Sequence, residues 1–219
     1  MILVPVKNLS QAKQRLASIM PQSARTELAR AMLWDVISVI AAWGKMPCAV
    51  VTGDAYACAL AARAGLQVID DPDNPGETWA IERATQICVR EGSEFTLVLP
   101  ADIPLITPGE LDEIFQHAPK RGSLLVPAAD KRGTNAALRG PGNLFPLRFG
   151  NDSFQPHLAA ARATGLPCVV LELPGIAVDV DRPEDLHMIA GLAGNTRSQQ
   201  FVRDSLRILE LRPTGTDRA

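Results

Sequence analysis

Short apolar runs alternate with longer amphipathic stretches along most of this chain, and that rhythm limits the fold more than any other feature. The runs are Ile2–Val6, Cys48–Thr52, Gln67–Ile69, Phe95–Leu99, Leu124–Pro127 and Cys168–Leu173, bounded by turn-forming residues as buried strands tend to be. The stretches Ser23–Trp43, Ala55–Ala64, Thr78–Glu91, Pro108–His117, Gln155–Thr164 and Pro183–Leu192 read as helices. In the first of them Leu28, Ala31, Met32, Val36, Val39 and Ile40 form a helical stripe that would face a sheet. Gly65 and Gly165 are placed to end helices in the left-handed conformation, and Thr107, Pro108 and Glu110 have the spacing of a capping box. Strand and helix in alternation predict a single-domain, three-layer α/β/α fold, Rossmann-like, with a mostly parallel sheet.

Residues 1–193 are expected to form that domain. Within it, 128–150 breaks the rhythm with Gly133, Gly140, Pro141, Gly142, Pro146 and Gly150, and reads as a long irregular segment. Such segments in compact domains are usually functional or disordered. Residues 194–219 read as a C-terminal extension. It has a polar run Gly194–Gln200, a short amphipathic helix bearing Phe201, Val202, Leu206 and Leu209, and a frayed tail from Pro213. That helix would dock on its own core or on another subunit, which leaves a homodimer open.

Composition excludes several classes. With 47% hydrophobic and 21% charged residues in 219, the chain has material for one core and too little charge imbalance for general disorder. A formal charge of −2 disfavours a nucleic-acid binder. Cys48, Cys58, Cys88 and Cys168 form no C-x-x-C pair, and His117, His157 and His187 share no ligand spacing. That argues against zinc and for the reducing cytoplasm. No apolar run is long enough for a membrane span or a signal peptide.

Four places offer chemistry. The loop after the first run, Val4–Leu16, lacks the glycines of a backbone phosphate cradle but carries Lys7, Lys13 and Arg15. The first thirty residues hold five Lys/Arg against the single acid Glu27, so this loop could grip a polyphosphate by side-chain charge or simply be solvated. Asp102 follows an apolar strand and sits between Pro100 and Pro104, as either a ligand for a hard cation or a turn residue. In Val178–Asp181, Asp179 and Asp181 share a face if the backbone is extended, and paired carboxylates invite a divalent cation. Asp181 could instead cap the helix that begins at Pro183, with Glu184 three residues on. Finally, Gly133–Ala136 and Phe149–Phe154 present backbone N–H groups and a helix start suited to an anion, and equally to turns. His157 beside them reads as a packed imidazole rather than a base.

The motifs V-P-V-K-x-L-x-x-A-K-x-R-L (4–16), L-A-x-A-M-L-x-D-V (28–36), P-A-D-I-P (100–104), G-T-N-A (133–136), F-G-x-x-S-F-x-x-H (149–157) and D-V-D-R-P-E-D-L (179–186) occur in that order. Together, over roughly residues 2–188, the chain resembles the 2-phospho-L-lactate or phosphoenolpyruvate guanylyltransferases of coenzyme F-420 biosynthesis, within the molybdenum-cofactor guanylyltransferase-like nucleotidyltransferases. The resemblance implies GTP and Mg²⁺. It implies that Asp102, Asp179 and Asp181 hold metal and that Thr134, Gly150 and Ser153 hold the carboxylate end of a small phosphorylated acid. Lys7, Lys13 and Arg15, with Gly76, would hold the nucleotide, and Lys7, Lys13, Arg15 and Asp102 would act in catalysis. Two departures stand out. Asn8 replaces a common proline, and Asp73–Trp79 stands where the family usually reads G-L-N-x-A, which leaves the choice of base open. The acceptor is open too: 2-phospho-L-lactate, phosphoenolpyruvate or 3-phosphoglycerate. The alternatives are a related nucleotidyltransferase acting on molybdenum cofactor or a sugar phosphate, and a non-catalytic nucleotide-binding module.

Overall fold

Residues 1–71, 76–150 and 152–210 are described by a computed structural model, the side chains of 208–210 excepted. The expected features at Asp73–Pro75, Asn151 and the tail from Pro213 lie outside the described residues. Seven strands form one sheet: β1 Ile2–Pro5, β2 Cys48–Thr52, β3 Gln67–Asp70, β4 Thr96–Val98, β5 Gly122–Pro127, β6 Thr134–Gly140 and β7 Cys168–Val170. Their order is β3-β2-β1-β4-β6-β5-β7, and β6 alone runs antiparallel to its neighbours among the described strands. The helices are α1 Gln22–Trp43, α2 Ala55–Arg63, α3 Glu77–Arg90, α4 Pro108–His117, α5 Phe154–Ala163, the short α6 Pro174–Ala177, α7 Pro183–Gly191 and α8 Arg197–Glu210.

The period-two alternation of the strands builds two cores. Ile2 and Val4 point to one face and Leu3 to the other; Val50 and Ala49 divide likewise. The larger core takes α1, α2, α4, α7 and α8, and the smaller takes α3 and α5, giving the expected three layers. The buried stripe of α1 is displaced from the expected one: Leu33, Ile37 and Trp43 join Leu28, Met32, Val36 and Ile40, while Ala31 and Val39 are only half-buried. Thr107 and Glu110 do form a capping box, and Gly65 and Gly165 adopt φ of +70° and +72°.

Two expectations need correcting. The segment 128–150 is not irregular throughout, because it contains β6, a fully buried central strand. Its small residues Ala136 and Ala137 and its Arg139 hide the apolar signature. Arg139 is fully buried and is neutralised by Glu82 at 3.0 Å, with a further bond to Thr85 at 2.9 Å. Nor does Asp181 cap α7: the Asp185 carboxylate accepts the N–H groups of Asp181 and Arg182 at 2.8 and 2.7 Å, which frees the Asp181 side chain. At the C-terminus α8 packs on α1 and α7 of its own chain, with Val202 in the main core.

Candidate active site

Parallel strands present their carboxyl ends on one edge of the sheet, and the loops after β1 and β4 open there. The reversed strand β6 brings its first residues to the same edge. Its register with β4 pairs Val98 with Ala137, so continuation of the ladder carries Asp102 toward Gly133 and Thr134. The backbone N–H of Val180 donates to the Asp102 carbonyl at 3.1 Å, which draws the 178–181 segment alongside. This segment is not a sheet strand, but it alternates as expected. Val178 and Val180 are buried in the core, while Asp179 and Asp181 line a cleft with Asp102.

Lys13 organises this cleft. Its left-handed backbone (φ +55°) ends one turn and begins another, and its ammonium donates to Asp102 Oδ2 at 2.7 Å and Asp181 Oδ1 at 2.8 Å. Arg15 Nη1 reaches Asp181 Oδ2 at 3.2 Å. Burial pulls the Lys13 ammonium toward neutrality, but the two carboxylates outweigh it and hold its pKa above the ordinary lysine range. Burial alone would raise Asp181; Lys13, Arg15 and Arg182 hold it below the usual carboxylate value. Asp179 is pushed up by burial, and Asp102 and Asp181 add to the rise against the hydrogen bond from Asn135.

Two hollows meet at these groups. One, of about 450 Å³, is lined by Val6, Lys7, Lys13, Glu77, Asp102 and Asp181 among others. The second, of about 360 Å³, includes Asp102, Asp179, Asp181, Thr134, Gly150 and Ser153. Lys7 and Arg15 reach the second from half-exposed positions, with 58% and 51% of their side-chain surface open. Gly76 sits apart from the aspartates, in a third hollow with Lys7, Thr78, Trp79 and Gly150. Gly150 has φ +138°, a conformation that only glycine adopts at low cost.

Sequence reasoning missed three contributors. Asn135 Nδ2 lies 3.0 Å from Asp179 Oδ1 and 3.0 and 3.1 Å from the carbonyls of Ile176 and Ala177, so it orients that aspartate. Asp185 shapes the backbone at Asp181. Glu77, at the first turn of α3, faces Lys7 at 3.7 Å and stands between the hollows; burial raises its pKa, Lys7 opposes, and Asp102 and Asp181 add to the rise. A lone acid at a helix start normally signals only a favourable dipole.

Among the described residues no group of three or more His, Cys, Asp or Glu side chains stands in a metal-holding arrangement. The ammonium of Lys13 is the cation between Asp102 and Asp181. The donors nevertheless suit a hard ion, being three carboxylates on one cleft wall, where burial first and repulsion from Asp102 and Asp181 second raise Asp179.

The family described as guanylyl transferase CofC like matches residues 1–218. The chain belongs to this family. The match extends past residue 190, where the resemblance read from the sequence stops. Membership makes the chain a nucleotidyltransferase enzyme. It is 34% identical over 192 residues to the phosphoenolpyruvate guanylyltransferase of Sphaerobacter thermophilus, covering 87% of this chain and 92% of that one. It is 30% identical over 216 residues to the 2-phospho-L-lactate guanylyltransferase of Methanothermobacter thermautotrophicus, covering 99% and 95%. Among solved structures, a candidate nucleotide-diphospho-sugar transferase from Desulfovibrio desulfuricans G20 is similar to this chain in fold, with a TM-score of 0.74, 18% identity and coverage of 95% and 96%. No helix among the described residues is long and apolar enough to cross a membrane.

Proposed function

We propose that the enzyme moves GMP from GTP onto the phosphate of a small phosphorylated acid, with release of pyrophosphate, in coenzyme F-420 biosynthesis. One observation carries this reading: a lysine and an arginine from the β1 loop share a cleft with three aspartates brought from β4 and the 178–181 segment. That is the electrostatic equipment for bringing two polyanions together.

In this reading GTP lies along the first hollow and the acid in the second, and they meet at Asp102 and Asp181. An oxygen of the acid's phosphate attacks the α-phosphorus in line; the new O–P bond forms as the bond to the β-phosphate oxygen breaks. A phosphomonoester is largely dianionic at neutral pH and needs no strong base. Lys7, Lys13 and Arg15 neutralise the departing pyrophosphate. Thr134, Gly150 and Ser153 hold the acid's carboxylate, and Gly76 borders the nucleotide. Magnesium, held by Asp102, Asp179 and Asp181, would supply charge neutralisation to the reacting phosphates. The four free cysteines suit a cytoplasmic enzyme.

Incubation with GTP, Mg²⁺ and each of 2-phospho-L-lactate, phosphoenolpyruvate and 3-phosphoglycerate tests the reading. Mass spectrometry should find a guanylylated acid and equimolar pyrophosphate in at least one arm. GTP binding without pyrophosphate in any arm would leave a nucleotide-binding module instead.

A further inference from the structure

His157 lies behind the acid hollow, almost wholly buried, and lines no part of it; on its other side it borders a small separate hollow with Pro146 and Arg148. Its ring is held edge-on against Phe149, with centroids 5.2 Å apart. Nε2 lies 2.8 Å from the backbone nitrogen of Arg148, and Nδ1 lies 2.9 Å from Thr134 Oγ1. A backbone N–H can only donate, so Nε2 is an acceptor. Burial, aided by the charge of Arg139, pushes the ring's pKa down to about 4, so near neutrality it carries one ring proton. That proton therefore sits on Nδ1 and is donated to the Thr134 hydroxyl oxygen.

A hydroxyl that accepts from the protein must aim its own hydrogen elsewhere. Among the described residues Thr134 Oγ1 has no acceptor, and its residue lines the hollow. Ser153 repeats the device: its Oγ accepts the Thr134 N–H at 3.1 Å, which leaves its hydrogen for the same hollow. Two neighbouring hydroxyls are thereby prepared as donors, which suits an anion and disfavours a ligand group that needs an acceptor.

We propose that His157 is a positioning residue, which fixes the Thr134 hydroxyl as a hydrogen-bond donor toward the anionic end of the acid substrate. The inference rests on the reading of Thr134, Gly150 and Ser153 as the acid cradle. A competing role is purely structural, in which the ring anchors the 146–150 loop through Arg148. The two ring nitrogens separate these roles, because an Asn amide takes the place of Nδ1 and a Gln amide the place of Nε2.

Steady-state kinetics with whichever of the three acids turns over provides the test. His157→Gln, which keeps an acceptor for Arg148 and loses the donor to Thr134, should raise KM for the acid about tenfold, the worth of one hydrogen bond to a charged group, with KM for GTP unmoved. His157→Asn, which keeps the donor, should recover most of that loss. The reverse order, or two variants that bind the acid like the wild type, overturns the proposal in favour of loop anchoring. Thr134→Val run in parallel should also raise the acid's KM. If it does not, the cradle reading itself has failed and the proposal falls with it, whereas a raised KM for Thr134→Val with a normal one for His157→Gln removes the proposal alone. Nitrogen-15 NMR of the wild-type ring needs no variant to fold: the Nδ1–H tautomer is expected at neutral pH, and an Nε2–H tautomer overturns the proposal.

Discussion

With Lys13 between Asp102 and Asp181, the cleft holds its charges in a compensated cluster whose members come from three distant parts of the chain. Asp102→Asn keeps the size of the side chain and leaves Lys13 paired with Asp181. Turnover should therefore fall about a thousandfold while the thermal midpoint barely moves; initial rates and calorimetry check this, and a rate near wild type would return Asp102 to a turn-forming role. His157 sets a pH dependence of its own. Its native pKa of about 4 lies below the unfolded value of 6.5, so the unfolded chain takes up the proton first. Its contribution is whole above about pH 6.5, is lost as pH falls toward about 4, and levels off below that, about 3 kcal/mol in all. Urea midpoints measured across this window should drop in the wild type, and the drop should shrink in His157→Asn. Lys7, Lys13, Arg15, Asp102, Asp179 and Asp181 were legible in the sequence because each follows an apolar run or stands in a fixed motif. Asn135 and Glu77 were not: one reads as part of a turn and the other as a helix-start acid, and each gains its role from partners far away in the chain.

At the scale of elements, the parallel strands and the long helices followed from hydrophobic period alone, and their ends shifted by only a few residues. Strand β6 escaped because a central strand needs no alternation when both faces are buried, and its Arg139 reads as a surface residue until Glu82 is brought to it by α3. Helix α8 is the other case in which the partner lies elsewhere. Its first N–H groups, those of Arg197 and Ser198, are capped by the carboxylate of Asp35 on α1 at 3.0 and 2.9 Å, and the Ser198 hydroxyl donates to it at 2.6 Å. A local capping box, Thr196 with Gln199 at 3.1 and 3.2 Å, marks the helix start, but nothing in 194–200 announces the further cap supplied from 162 residues away. Asp35→Ala strands the buried Ser198 donors and should cost about 2 kcal/mol. Urea unfolding should show the loss, with hydrogen exchange accelerated first in α8; uniform exchange would mean that α8 is held by its apolar face alone.

On the scale of the molecule, one reversal of direction decides what meets what. Six strand ends and one strand beginning cannot share a sheet edge unless a strand runs backwards, and β6 does so between β4 and β5. The chain leaves β6 at the far edge and returns through 141–150, tied down on the way by Glu82 at the Leu147 N–H (3.0 Å) and by Thr78 at the Phe149 N–H (3.0 Å). Phe149 and Gly150 thus arrive at the second hollow on a separate excursion from the β1 loop. If residues 141–153 are exchanged for the corresponding stretch of the Methanothermobacter relative, the relative kcat/KM for the three acids should move toward the donor's pattern while KM for GTP stays put. An unchanged pattern would locate acid choice in β6 itself.

That backward strand has an evolutionary corollary. On the proposed reading, the β1 loop that meets the triphosphate and the 134–153 stretch that meets its co-substrate are written in different halves of the gene, so a lineage could trade one small acid for another while leaving the phosphate-gripping lysines untouched.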